Sequence, residues 1–321
     1  MGATALVEYL ITGCGGFVGS HYLEYLHNTG QTGEVVGIGT TAPLNAPKDL
    51  RFRFIDCNLL DAKTLGDSIK EIRPRFCVHL ASMSSVAASW TYPDKSFHNN
   101  TSIFLNLVEA IRKYSPQTRI LSVGSSEQYG ALSLLAEYFT ESDRLAPKSP
   151  YAVAKYSQEL IGQIYVKNFE LDIVMTRSFN HIGPGQAERF AVSGFSRLFA
   201  QAMNNGDDSL VLPTGNIQVI RDFIDVRDVV SAYEEILRGA HTGTVYNVCS
   251  GVGVALTSVI NKLSEISGVI SKTETERLRL RPSDNNVVVG SHAALTNELG
   301  WEPIIPLDQS LRDILKYWQA N

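Results

Sequence analysis

Tyr151 and Lys155, four residues apart in "SPYAVAK" (149–155), are placed to do chemistry together. On a helix, positions i and i+4 share a face, so the ammonium can lie beside the phenol or beside a hydroxyl that both groups touch. A phenol with an ordinary pKa near ~10 is a poor base at neutral pH, and a neighbouring cation lowers that value. Towards a forming alkoxide the same phenol is a general acid. Ser149 and Pro150 make a sound helix start, serine as cap and proline at the first helical position. A second stretch, "GSSEQYG" (124–130), closes the apolar run 119–123 and adds the Ser125 hydroxyl and the Glu127 carboxylate. Ser125, Tyr151 and Lys155 suffice for reducing a carbonyl. Glu127 adds the alternative of a base that takes a proton from carbon.

These side chains need a scaffold, and the sequence describes one. "ALVEYLIT" (5–12) reads as a strand, and Val18, Tyr22, Leu23 and Leu26 then recur at helical spacing. Further strands are expected at 34–39, 51–57, 76–81, 119–123, 172–178 and 245–250, with helices at 61–72 and 101–114. This βαβ rhythm predicts an α/β protein with a Rossmann-type doubly wound parallel sheet. The less regular segment after about 180 predicts a smaller, discontinuous C-terminal substrate-binding lobe. The expected division is 1–179 plus roughly 222–250 for the dinucleotide-binding domain, and roughly 180–221 and 251–321 for the lobe. Gly13, Gly16 and Gly19 stand three apart between the first strand and its helix, where a tight turn must let a pyrophosphate approach the helix N-terminus. After the second strand an acid would grip a ribose 2′-hydroxyl, but the chain has Thr40 and Thr41. NADP(H) is therefore favoured, with NAD(H) accepted. Asn58, ending the third strand, is positioned for adenine.

The bulk numbers exclude several classes. The chain has 321 residues, 44% hydrophobic and 19% charged, with net charge −5 and no basic block, so nucleic acid is not an expected partner. No run reaches the ~18 apolar residues of a membrane span, and the N-terminus carries no leader pattern. Cys14, Cys57, Cys77 and Cys249 have no metal-binding spacing and read as free thiols in a reducing cytoplasm; no metal is expected.

Taken together, "TGCGGFVGS", "HLAS", "GSSEQYG", "SPYAVAK" and "SFNHIGPGQ" resemble an extended short-chain dehydrogenase/reductase acting on nucleotide sugars, over nearly the whole chain. "SSVAASW" (84–90), "FNHIGPGQ" (179–186), "GNIQVIRDFIDVRDVV" (215–230) and "LRPSDNNVVVGS" (280–291) resemble the bacterial GDP-6-deoxy-4-keto-mannose reductases, with GDP-mannose 4,6-dehydratases next in chemistry. The resemblance implies NAD(P)H-dependent reduction of the 4-keto group of GDP-4-keto-6-deoxy-D-mannose to GDP-D-rhamnose. It implies that Ser125 bonds the C4 oxygen, Tyr151 donates the proton and Lys155 orients it. It assigns Phe17, Val18, Leu59, Leu80, Ala81, Asn100 and His181 to the cofactor, together with Tyr151 and Lys155. Ser84 and Ser125 go to the sugar, and Asn180, Arg221 and Arg281 to the pyrophosphate, which arginine forks suit. "AERFAVSGF" (187–195) would line the nucleotide pocket. The base itself is not read.

Glu127 divides the family readings. dTDP-glucose-type dehydratases carry an Asp-Glu pair, and here Ser126 stands in the Asp position. GDP-mannose dehydratases resemble "SSE" more closely but have an arginine pair where Thr40 and Thr41 stand, and "FNHESPRRG" in place of "FNHIGPGQA". The expectation is an inherited carboxylate near the sugar. A 4,6-dehydratase and a 4-epimerase remain as alternatives, and a cofactor sensor is disfavoured because Ser125, Tyr151 and Lys155 are all present. The resemblance also implies a homodimer through a four-helix bundle built from the 101–114 helix and the helix starting at Tyr151. Ile103, Leu107 and Ile111 would serve either that interface or the core.

Overall fold

The computed structural model describes residues 7–131, 137–277 and 285–321. In chain order the first half runs β1 (Val7–Thr12), α1 (Phe17–Asn28), β2 (Glu34–Gly39), β3 (Phe52–Asp56), α2 (Ala62–Ile72), β4 (Phe76–His79), α3 (Val86–Thr91), α4 (Pro93–Tyr114), β5 (Arg119–Ser125), α5 (Pro150–Phe169) and β6 (Ile173–Ser178). The second half runs β7 (Asn180–Ile182), α6 (Ala191–Asn205), β8 (Ser209–Thr214), β9 (Ile220–Asp225), α7 (Val226–Gly239), β10 (Val245–Val248), β11 (Gly253–Ala255), α8 (Leu256–Ser267), β12 (Ile270–Thr275), β13 (Val287–Val288), α9 (Ala293–Leu299) and α10 (Leu307–Ala320).

Seven strands form one parallel sheet in the order β10-β6-β5-β4-β1-β2-β3. Strands such as β1 and β6 are buried on both faces, so they read as apolar runs without alternation. The chain winds one way from β1 to β3 and the other way from β4 onwards. The reversal between β1 and β4 opens a crevice at the carboxyl ends of the strands. One face is covered by α1 and α7, whose Leu23, Leu26, Val229 and Ile236 share a core with Tyr9 and Ile11 of β1. The Tyr9 and Tyr22 hydroxyls both donate to Glu234 of α7 in that core. The other face is covered by α2, α4 and α5, with Leu65, Phe104 and Tyr165 against Leu10 and Ile120. The lobe has its own core, with Phe199 of α6, Leu263 of α8 and Ile314 of α10.

The structure departs from the sequence expectations in three places. Helix α4 starts at Pro93, eight residues before 101, because Pro93 takes the first helical position and Asp94 faces the positive end of the helix. Residues 86–91 form a helix that was not expected, capped by the Ser85 side chain on Ala88 N–H. The domain division needs two corrections. Residues 222–225 belong to β9, which pairs with β7, β11 and β13 in a separate small sheet. Leu295 and Trp301 pack into the core under the large sheet, beside Ile236 and Tyr246, so the chain returns there after building part of the lobe. Of the two roles left open for Ile103, Leu107 and Ile111, the structure gives the core one: all three are buried in the protein's own core. The apolar residues that α4 and α5 expose lie on another face and include Phe97, Leu105, Val153, Leu160 and Ile164.

Candidate active site

A cavity of about 1330 Å³ runs from the glycine loop, past the carboxyl ends of the strands, into the lobe. At one end, Gly13 has φ +70°, and a Cβ there would lie 2.8 Å from Ala81 N and 2.9 Å from its Cα. Only glycine meets both demands, so the loop between β1 and α1 can press against the end of β4. Gly16 caps α1 without a side chain, leaving the first-turn amides of Phe17, Val18 and Gly19 facing a lined space that suits an anion. The loop after β2 closes this end: a Cβ on Gly15 would lie 2.3 Å from the Thr41 carbonyl oxygen, and Thr40 and Thr41 are exposed on the cavity wall. Asn58 and Leu59 line the adjoining wall, as do Leu80 and Ala81. The residues present therefore fit a dinucleotide cofactor.

One cofactor-side expectation changes. Asn100 is buried and does not line the cavity; its amide oxygen accepts from Met83 N–H at 2.8 Å and its NH₂ donates to Met83 O at 3.2 Å. It holds the 82–83 loop from behind, and Asn99 reaches the wall in its place. His181 does reach the wall, where its ring stacks on Phe17 with centroids 6.1 Å apart. Burial pulls its pKa down to about 4, so the ring is neutral at physiological pH.

In the middle of the cavity β5 and α5 meet. Ser125 ends β5 and Tyr151 and Lys155 occupy successive turns of α5; all three line the space and are 9%, 7% and 4% exposed. The helix begins as the sequence indicates, with the Ser149 side chain accepting from Ala152 N–H at 3.1 Å and Pro150 in the first turn. Burial pushes the Tyr151 phenol well above its ordinary value, a hydrogen bond with Ser125 lowers it, and the Glu127 charge raises it. The phenol is thus held protonated, the form a proton donor needs. Burial pulls Lys155 down to about 7. Its ammonium donates to Val123 O at 2.9 Å and to Gln158 Oε1 at 3.1 Å. Gln158, which the sequence reading did not single out, is itself anchored by donating to Ser122 Oγ at 2.9 Å. Its position three residues after Lys155 was the signal available.

Beyond Ser125 the cavity wall carries Ser84, in the loop before α3, and Glu127. Asn180 of β7 and Arg221 of β9 also line it, and Arg221 donates to Ile220 O at 2.9 Å. Asp222, the next residue, turns away and accepts from Ser250 N–H at 2.8 Å, Gly251 N–H at 3.0 Å and Gly290 N–H at 3.3 Å. Arg281 lies outside the described residues. The 187–195 stretch lines the far end as position suggested, and Thr214, Gly215, Asn216 and Arg197 line it with them. Thr214 and Arg197 lie outside the motifs quoted above, whereas Gly215 and Asn216 open the 215–230 stretch.

Comparison with known proteins follows this geometry. The family described as GDP-mannose 4,6 dehydratase matches residues 10–314. A GDP-6-deoxy-D-mannose reductase of Pseudomonas aeruginosa is 33% identical over 311 residues, 97% of this chain and 97% of the relative. Among solved structures, RMD from Pseudomonas aeruginosa complexed with NADPH superposes with TM-score 0.84 at 32% identity, covering 98% of this chain and 99% of that one. UDP-glucose 4-epimerase from Thermus thermophilus, in complex with NAD, gives TM-score 0.84 at 28% identity, covering 97% and 99%.

Proposed function

We propose, for a chain that belongs to the GDP-mannose 4,6 dehydratase family, that it reduces the 4-keto group of GDP-4-keto-6-deoxy-D-mannose to GDP-D-rhamnose with NADPH. The observation that carries this reading is the meeting of Ser125, Tyr151 and Lys155 midway along a cavity with a glycine loop at one end and Arg221 towards the other. The 33% identity to the reductase over nearly the full length of both chains supports the substrate class, and NADPH in the related solved structure supports the cofactor.

NADPH, when bound, supplies the hydride that goes to C4. The amides at Gly16 to Gly19 would hold its pyrophosphate, and the Thr40 and Thr41 hydroxyls would face its 2′-phosphate without the repulsion an acid would bring. Ser125 Oγ donates to the C4 oxygen of the sugar. Tyr151 transfers its phenolic proton to that oxygen as negative charge develops, so the alcohol leaves neutral. The Lys155 ammonium stabilises the phenolate left behind. Asn180, Arg221 and Arg281 would hold the diphosphate, Ser84 the sugar, and His181, neutral, the cofactor side. The protein would work in the cytoplasm, where the reduced cofactor is available.

A second reading has one observation in its favour: Glu127 lines the same cavity, close enough for its charge to act on Tyr151. In a 4,6-dehydratase that carboxylate would take the C5 proton. Incubation with keto-sugar and NADPH separates the two. A reductase consumes NADPH one for one and leaves C5 unlabelled in D₂O. Enzyme-dependent C5 deuteration without net NADPH loss would overturn the reductase.

For assembly, the exposed Val153, Leu160 and Ile164 of α5 recur at helical spacing beside Phe97 and Leu105 of α4, which packs on α5. Paired with the same face of a second copy, these helices would form the four-helix bundle of a homodimer. The self-complementary apolar face supports a twofold partner.

A further inference from the structure

We propose that Gln128 and Glu159 are positioning residues that clamp the Ser125–Glu127 turn to the helix carrying Tyr151 and Lys155. Gln128 is fully buried, one turn beyond Ser125, and both ends of its amide are used. Its Oε1 accepts from Ser125 N–H at 2.9 Å, and its Nε2 donates to Glu159 Oε2 at 2.6 Å. The first bond is half of a capping box around the short helix Ser126–Gln128. The second leaves that helix and reaches α5.

Glu159 follows Lys155 by four residues and Tyr151 by eight, so phenol, ammonium and carboxylate form one row on a single helix face. The first two members of the row face the reacting centre and the third grips the turn that presents Ser125. Glu159 is gripped in turn by the Arg177 guanidinium of β6, with Nε to Oε2 at 2.9 Å and Nη2 to Oε1 at 2.7 Å. Arg177 Nη1 donates to the Tyr129 hydroxyl at 2.9 Å, just past the turn. Both side chains of the ion pair are buried, 6% and 3% exposed. Gly124 is crowded from two sides: a Cβ there would lie 2.3 Å from the Thr176 carbonyl oxygen of β6 and 2.6 Å from Gln128 Oε1, so the strand pairing and the folded-back amide both call for glycine before Ser125.

A buried polar network could merely fill the core, but this one is aimed. Its end point is the backbone N–H of Ser125, and its other anchor is on the rigid body that holds Tyr151. A change of about 1 Å in such an approach can cost roughly 100-fold in rate. The inference rests on the roles proposed above for Ser125 and Tyr151.

The test is a double-mutant cycle with GDP-4-keto-6-deoxymannose and NADPH, measuring kcat and KM, and NADPH binding by fluorescence titration. Gln128→Leu in the otherwise native protein should lower kcat roughly 10-fold or more, with KM and NADPH affinity within about 3-fold. In a Ser125→Ala background the same change should cost under about 2-fold, because the hydroxyl it positions is gone. Equal losses in both backgrounds, or losses confined to KM and NADPH binding, would make the network a scaffold and overturn the inference. Should Gln128→Leu fail to fold, Gln128→Met keeps the unbranched stem over Gly124 and carries the same cycle. A Ser125→Ala protein with native kcat would instead refute the role of Ser125, a separate result.

Discussion

Lys155→Met should remove a pH dependence of stability that the buried lysine imposes on the cofactor-free protein. Burial places the folded-state pKa of Lys155 at about 7, against an ordinary 10.5. Below pH 7 the group is charged in the folded and unfolded chain alike, and the folded chain carries the full desolvation cost. Between pH 7 and 10.5 the unfolded chain keeps a proton that the folded chain has shed. The unfolded state then binds more protons, so stability rises with pH. One proton corresponds to about 1.4 kcal/mol per pH unit, or roughly 4 kcal/mol between pH 7 and 10. Methionine matches the length of the lysine stem and does not titrate. Its cost is the loss of the bonds to Val123 O and Gln158 Oε1, about 1.5–3 kcal/mol each for a charged donor. The assay is denaturant unfolding of both proteins from pH 6 to 9.5, taking the difference at each pH so that other titrating groups cancel. The wild type should gain on the variant at close to the stated slope above pH 7. A difference that stays constant with pH would show that Lys155 titrates alike in both states, and the argument from burial would fail.

Tyr151→Phe should lower keto-sugar reduction at least ~100-fold, the scale of general acid catalysis, while NADPH still binds in a fluorescence titration. Thr40→Asp should shift the ratio of kcat/KM values towards NADH by repelling a 2′-phosphate, and a wild type with strong NADH preference would contradict the assignment of that loop. Ile164→Lys, at a residue that is 52% exposed in the single chain, should leave the fold intact and yield monomers in light scattering at micromolar concentration, where the proposed bundle would make the wild type a dimer.

The large sheet was legible because its inner strands are buried on both sides and are bounded by turn residues, so short apolar runs such as 34–39 stood out. The meeting of Ser125 with Tyr151 and Lys155 was legible for a related reason: the end of one strand and the start of the next helix must come together when β5 and β6 are neighbours. What stayed hidden depends on partners far along the chain. β7, β11 and β13 have two or three residues each, too few for a period, and exist because they pair around β9. Helix α3 has six residues and its cue was a single capping serine. Asn100 was expected at the cofactor, but no spacing rule says whether an amide faces the cavity or the loop behind it. Gln128 and Glu159 lie 31 residues apart, and their bond becomes visible only when the strand and helix dock.

The contact between Tyr9 and Glu234 spans 225 residues. One face of the first strand therefore has only α1 over it until α7 has been made, and β10, which completes the sheet edge, comes later still. At synthesis rates of about 5–20 residues per second, the nascent chain waits roughly 10–45 s between those two partners. During that interval apolar Ile11, Leu23 and Leu26 have no helix α7 to bury them. Ribosome-bound chains that stop before Val226 should thus be held by chaperones or cleaved readily, and protease resistance should arrive late and in one step.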